Sequence, residues 1–128
     1  MFGAVFTAEH LNLFLKILNN PARPNIVYIG QNRVKISVLV KNIRILVDFS
    51  FIPNSRLLTI SSMFVSGFPI TWLKGIAWSN IKTLLTADKV SFTESSGGII
   101  LLQKQEFVNL DVLQLTEMGT LEVNLSAV

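Results

Sequence analysis

The sequence contains no cysteine in 128 residues and a single histidine, His10. The first absence excludes disulfide frameworks, thiolate metal sites and cysteine nucleophiles. The second leaves no histidine cluster for a metal and no base for a Ser/His/Asp set, so His10 reads as polarity in the first turn of a helix. Phosphate-cradling glycine patterns and the G-x-S-x-G elbow are also missing, and Gly97-Gly98 reads as a turn. Glu94, Glu106, Asp111, Glu117 and Glu122 are scattered, with no spacing that sets two carboxylates across a cleft. The chain therefore reads as non-enzymatic, with no cofactor and no metal.

Charge is scarce as well. Asp, Glu, Lys and Arg make up 15% of the chain, against roughly 25% in ordinary soluble domains. Long apolar runs are lacking too: the longest charge-free stretch, Leu57–Leu73, is 17 residues and holds Ser61, Ser62, Ser66, Gly67 and Pro69. That is short of the ~20 apolar residues of a spanning helix and reads as a strand, a turn and a helix start. Met1–Thr7 has no basic segment, and Glu9 and His10 break the apolar run, so it does not read as a secretory signal.

Apolar residues supply half of the chain, and mean hydropathy is +0.52. So little polar surface points either to apolar area facing a ligand, membrane or partner, or to a densely filled β-rich core. The charges are unevenly placed. Residues 1–86 carry nine Lys/Arg against Glu9 and Asp48, a net +7, and residues 87–128 carry Lys89 and Lys104 against six acids, a net −4. Such a split steers a protein to an anionic surface, or draws two halves of one fold together.

Residues 1–128 read as one α+β domain, an antiparallel sheet with two helices. Thr7 is the expected cap of a helix running to about Asn19, with Leu11, Phe14, Leu15 and Leu18 on one face and Glu9, Asn12, Lys16 and Asn19 on the other. Asn25–Ile29 is a short strand. The strongest pattern is a hairpin in which Val34, Ile36, Val38 and Val40 alternate with Lys35, Ser37, Leu39 and Lys41, and Ile43, Ile45, Val47, Phe49 and Phe51 with Arg44, Leu46, Asp48, Ser50 and Ile52. A two-residue loop at Lys41-Asn42 pairs Val40 with Ile43 and Val34 with Phe49, and sets Lys35 opposite Asp48. A strand over 56–65 follows, then a helix over about 70–85, packed on the apolar sheet face. Its wheel puts Leu73, Ile76, Ala77, Ile81 and Leu84 on one face and Trp78 at the edge between Lys74 and Lys82. Short strands at 90–93 and 99–102 come next, then a helical turn near 107–110. The chain closes in a hairpin matching Leu113 with Leu125 and Leu115 with Val123 across Met118-Gly119-Thr120.

Arg33, Lys35, Lys41 and Arg44 cluster on the long hairpin. Single-strand nucleic-acid binders interleave such charges with exposed aromatics, whereas Phe49 and Phe51 belong to the apolar face. Nucleic acid is not the expected partner.

In order, Thr7-Ala8-Glu9-His10-Leu11-Asn12, the Val34–Phe51 hairpin, Ser66-Gly67-Phe68-Pro69-Ile70, Gly98-Ile99-Ile100-Leu101 and Gly119-Thr120-Leu121-Glu122-Val123 span most of the chain. This succession resembles small bacterial relatives of the tubular lipid-binding (TULIP-like) proteins. The resemblance implies a strongly curved antiparallel sheet wrapped round a long helix, an acyl chain held between them, and a place at the cell envelope.

The sequence thus leads to a non-catalytic module for a lipid or other hydrophobic ligand, acting at a membrane surface. Ile45, Val47, Phe49, Phe51, Ile60, Phe64, Leu73, Ile76 and Ile81 are the expected cavity lining. Lys74, Trp78 and Lys82 are the expected contacts with an anionic membrane, because Trp favours the headgroup region and Lys its charge. Leu39, Leu46 and Ile52 make the second sheet face partly apolar, and this supports a rival: a protein–protein interaction domain with a filled core, forming a homodimer or part of an envelope complex.

Overall fold

The computed structural model describes residues 2–18, 21–87, 90–95, 97–102 and 108–127. Its elements are β1 (Phe2–Thr7), α1 (Ala8–Leu18), β2 (Asn25–Gly30), β3 (Arg33–Val40), β4 (Ile43–Ile52), β5 (Leu57–Val65), β6 (Phe68–Pro69), a 3-10 turn (Thr71–Leu73), α2 (Lys74–Ala87), β7 (Phe92–Ser95), β8 (Gly98–Leu101), β9 (Val108–Leu115) and β10 (Thr120–Ala127). The strands form two antiparallel sheets. The larger has the order β2-β3-β4-β5-β8-β7 with β6 beside β5, and the smaller has the order β1-β10-β9.

The alternation of the long hairpin fixes its register as the sequence predicts. Val40 pairs with Ile43, Val38 with Ile45, Ile36 with Val47 and Val34 with Phe49. Lys41 and Asn42 both take positive φ, 50° and 65°, as a type I′ turn requires for its twist to match the strands. The resulting apolar face contributes Val47, Phe49 and Phe51 to the core.

Two single-residue bulges shape that face. In β5, Phe49 pairs with Ile60 and Asp48 with Ser62, so Ser61 is the extra residue. Ile60 and Met63, three apart, therefore point to the same side. In β2, Val27 is extra, and Ile26 and Ile29 come to one side in the same way.

The apolar face is covered in two halves. Over one, Val47, Phe49, Ile60 and Met63 pack together beneath Ala77, Trp78 and Ile81 of α2. Over the other, Ile29 and Phe51 meet Leu115 of the small sheet, with Ala8 and Leu11 of α1 and Leu113 and Leu121 around them. A backbone bond joins the layers, the Asn32 N–H donating to the Leu115 carbonyl at 3.1 Å, while within the large sheet the Asn32 carbonyl accepts from the Phe51 N–H at 2.9 Å. At the β5–β8 contact the backbones approach so closely that a Cβ on Gly98 would lie 2.1 Å from the Leu58 carbonyl oxygen. Only glycine fits there.

Thr7 caps α1 as expected, its Oγ1 accepting from the His10 N–H at 3.2 Å while the Thr7 N–H donates to His10 Nδ1 at 3.3 Å. This is a capping box with histidine in the place of glutamate.

Several expectations are corrected. β1, which the sequence reading leaves out, forms because β10 offers it a pairing edge, Phe2 with Leu125 through Thr7 with Thr120. α1 is turned from the expected wheel: Ala8, Leu11, Asn12 and Leu15 face inward, and Phe14 and Leu18 are exposed. Residues 108–110 belong to β9 rather than to a helical turn, and Phe107 lies outside the described residues, as does Asn19. The last hairpin pairs Leu115 with Leu121 and Leu113 with Val123. Its three-residue loop is Glu117-Met118-Gly119, one residue earlier than predicted, because Gly119 supplies the positive φ of 79° at the loop's end. Finally, the second helix starts at Lys74, after the short β6 and the 3-10 turn.

Candidate interaction surface

The expected cavity lining divides. Val47, Phe49 and Ile60 form one buried cluster with Ile45 and Ile81 against it, while Phe51 joins the other cluster. Leu73 is half-buried and is part of neither cluster. Phe64 is not among them. The Ser61 bulge inverts the alternation after Ile60, so Phe64 pairs with Leu46 on the opposite face and Met63 takes its place in the core. Ile76 is also misassigned, being 62% exposed.

α2 explains the second error. Lys74, Ala77, Trp78, Ile81, Lys82 and Leu85 are its half-buried residues, one stripe at helical spacing, and Ile76 and Leu84 lie outside it. Trp78 is therefore packed on the core instead of standing at an outer edge, since its ring supplies more area to bury than Ile76. Lys82 makes an ion pair with Glu94 of β7. The exposed tryptophan is Trp72, in the 3-10 turn, at 79%.

Two of the hollows in the described surface stand apart from the predicted cavity, none of the nine predicted lining residues bordering either. One, of about 620 Å³, lies between α1 and residues 21–25, bordered by Glu9, Asn12, Leu13, Leu15, Lys16, Arg23, Pro24 and Asn25. The other, of about 520 Å³, is an open depression along Ser79, Lys82, Thr83, Thr86 and Ala87.

On the polar face of the large sheet Asp48 is 4% exposed and pairs with Arg33, diagonal to the Lys35 that stands opposite it in register. That hydrogen bond and the Asp48 charge push the Arg33 guanidinium above its ordinary range. Lys35 instead lies over the Tyr28 ring, 5.6 Å from its centroid. Arg44 donates to Ser37 Oγ at 2.7 Å, and the hydroxyls of Ser50 and Ser61 share a 2.6 Å bond. Asp48 Oδ1 is left without a partner.

The most distinctive surface is one end of the large sheet. Antiparallel pairing brings the β3–β4 turn, the end of β5 and the β5–β6 turn to the same end. The segment before β2 joins them, because the Leu39 N–H donates to the Ala22 carbonyl at 2.7 Å. α1 runs towards this end from the β1–β10 edge. This end therefore carries Arg23, Lys41 and Arg44 with exposed Val40, Ile43 and Phe68, and Ile17 and Leu18 at the end of α1; Trp72, also exposed, follows four residues after Phe68 in the 3-10 turn. No carboxylate with a described side chain lies there: Asp48 is mid-strand, and Glu9, Glu94, Glu117 and Glu122 lie towards the other end or on the small sheet. Sequence reading noted the basic hairpin but missed its aromatic complement, because Phe68 and Trp72 sit in a turn with no periodicity. A short exposed Phe-x-x-x-Trp after Ser66-Gly67 was the available signal.

Among the described residues no group of three or more His, Asp or Glu is arranged to hold a metal ion, and no helix is long and apolar enough to cross a membrane. No family model, curated protein or solved structure matches the chain.

Proposed function

We propose that the protein is a non-catalytic lipid-binding module that docks on anionic membrane surfaces through the tip of its large sheet. The observation that carries this is the exposure of Phe68 in β6, with Trp72 four residues on, on a sheet whose same end carries exposed Arg23, Lys41 and Arg44. Tryptophan partitions to the headgroup layer, and each basic residue near an anionic bilayer adds attraction. The reading keeps the lipid of the sequence-based expectation and its resemblance to tubular lipid binders, but moves it from an internal cavity to a surface. The packed contacts of Val47, Phe49, Ile60 and Met63 support that move.

Co-sedimentation with vesicles tests it. Binding is expected to phosphatidylcholine vesicles containing phosphatidylglycerol and not to phosphatidylcholine alone. Lys41→Ala with Arg44→Ala should weaken it on the order of tenfold or more, and Phe68→Ser with Trp72→Ser should abolish it. Equal binding to neutral and anionic vesicles, or none to either, rejects the proposal.

A second reading, a protein interaction domain, has its own support. Leu13, Phe14, Ile17 and Leu18 are all more than half exposed along the outer side of α1, a contiguous apolar face of the kind that marks interfaces. Light scattering after size exclusion tests it: a dimer at all concentrations, lost on Phe14→Glu, favours this reading.

A further inference from the structure

The groove between α1 and residues 21–25 is a defined feature, not a loose gap. Asn12 clamps α1 to the edge of β2, its Nδ2 donating to the Ile26 carbonyl at 2.8 Å and its Oδ1 accepting from the Ile26 N–H at 2.5 Å. Across the groove the segment is tied to β3 through Ala22 and Leu39. Between these ties Arg23 holds φ at 44°, a left-handed conformation uncommon for a side chain of its size.

Its chemistry is graded along the helix. Lys16, in the last turn of α1, and Arg23 border the end nearer the tip, and Glu9, in the first turn, borders the end away from it. Seven residues of helix separate the two charges by about 10 Å along the axis. Leu13, Leu15 and Pro24 supply apolar walls and Asn25 an amide. Two cations hold a phosphate by charge and hydrogen bonds, whereas a carboxylate repels phosphate and accepts from hydroxyls. A bare phosphate would leave Glu9 unused and most of the space empty.

We infer that this groove binds a phosphorylated polyol, its phosphate between Lys16 and Arg23 and its hydroxyls reaching towards Glu9 and Asn25. Combined with the membrane-docking tip, on which this part of the inference rests, the ligand is a phospholipid headgroup. In a docked lipid the phosphate lies nearest the bilayer and the polyol projects away from it. The groove has the same order, cations near the tip and acceptor beyond.

The soluble probe is glycerophosphoglycerol, titrated into the whole ¹⁵N-labelled chain, with inorganic phosphate and glycerol as separate probes. Saturable amide shifts are expected in residues 9–17 and 22–26, at least tenfold tighter for glycerophosphoglycerol than for phosphate. Lys16→Gln with Arg23→Gln should lose them, and Lys41→Ala with Arg44→Ala should keep them. No saturable shift, equal affinity for inorganic phosphate, or binding indifferent to Lys16 and Arg23 overturns the site. The source is separated with vesicles of equal surface charge: a lipid headgroup requires phosphatidylglycerol to be preferred over phosphatidylserine at least fivefold. Equal vesicle binding beside tight soluble binding overturns the lipid source and leaves a free phosphorylated polyol as the ligand. Vesicle docking without soluble binding overturns the groove while the docking tip stands.

Discussion

Asn12 faces inward on a helix whose other half-buried residues are Ala8, Leu11 and Leu15, and the reason lies in the strand beside it. β2 is the edge of the large sheet, so half of its backbone groups lack a ladder partner. The Asn12 amide donates to one and accepts from the other at Ile26. Leucine at position 12 would pack as well but leave both groups unpaired, which is costlier than placing an amide at a partly buried position. Asn12→Ala should destabilise the fold by about 2 kcal/mol, roughly one for each bond, less the few tenths that alanine returns as a better helix former. Urea unfolding measures the loss, and the Ile26 amide should exchange faster than its neighbours. Asn12→Asp keeps the acceptor and loses the donor, and should fall between. The same residue marks the limit of wheel analysis: Asn12 looks polar and therefore outward until the strand that needs it is known.

At the scale of elements, α2 gives the sharpest contrast between two readings of one sequence. A wheel drawn on aliphatic residues turns Ile76 and Leu84 inward, whereas the folded helix buries Ala77, Trp78 and Ile81 against Val47, Phe49 and Ile60. Trp78→Ala should therefore cost about 2 kcal/mol, below the 3–5 of a fully buried tryptophan because this one is half-covered. Ile76→Ser should stay within about 0.5 kcal/mol. Thermal unfolding of the two variants checks the order, and a reversed order restores the original wheel. The long hairpin, by contrast, was legible to the residue. Its alternation, its turn and its cross-strand pairs all follow from nearest neighbours in sequence. Single-residue bulges are what broke the pattern elsewhere, because the extra Ser61 sends Phe64 to the far face without any local mark. β1 was invisible for a related reason, since its pairing partner lies at the other end of the chain. Of the candidate surface, the basic hairpin was legible and the aromatic turn was not. Exposure of Phe68 and Trp72 is a property of the assembled sheet end, not of the residues around them.

For the whole molecule, three cations of the basic half of the sequence gather at one end of the large sheet, while Arg33 and Arg56 lie at the other. Arg23, Lys41 and Arg44 end up around the tip with Phe68, Trp72 follows in the 3-10 turn, and Glu94, Glu117 and Glu122 lie away from it. A field of this shape orients the protein before contact, with the tip towards an anionic surface, and it weakens as salt shortens the Debye length from ~10 Å at 0.1 M to ~3 Å at 1 M. The two tryptophans report the orientation separately. Trp72 is exposed in the 3-10 turn and Trp78 is packed on the core. With Trp78→Phe, leaving Trp72, anionic vesicles should shift emission to the blue and make it quenchable by brominated lipid. With Trp72→Phe, leaving Trp78, emission should hardly change, and docking itself should weaken only modestly because phenylalanine retains much of the apolar area. Raising salt should reverse the Trp72 shift more steeply in wild-type background than in Lys41→Ala with Arg44→Ala, since fewer charges remain to be screened. A blue shift at Trp78 with Trp72 unmoved would place α2 rather than the sheet tip at the bilayer, and would return the contact to Lys74, Trp78 and Lys82.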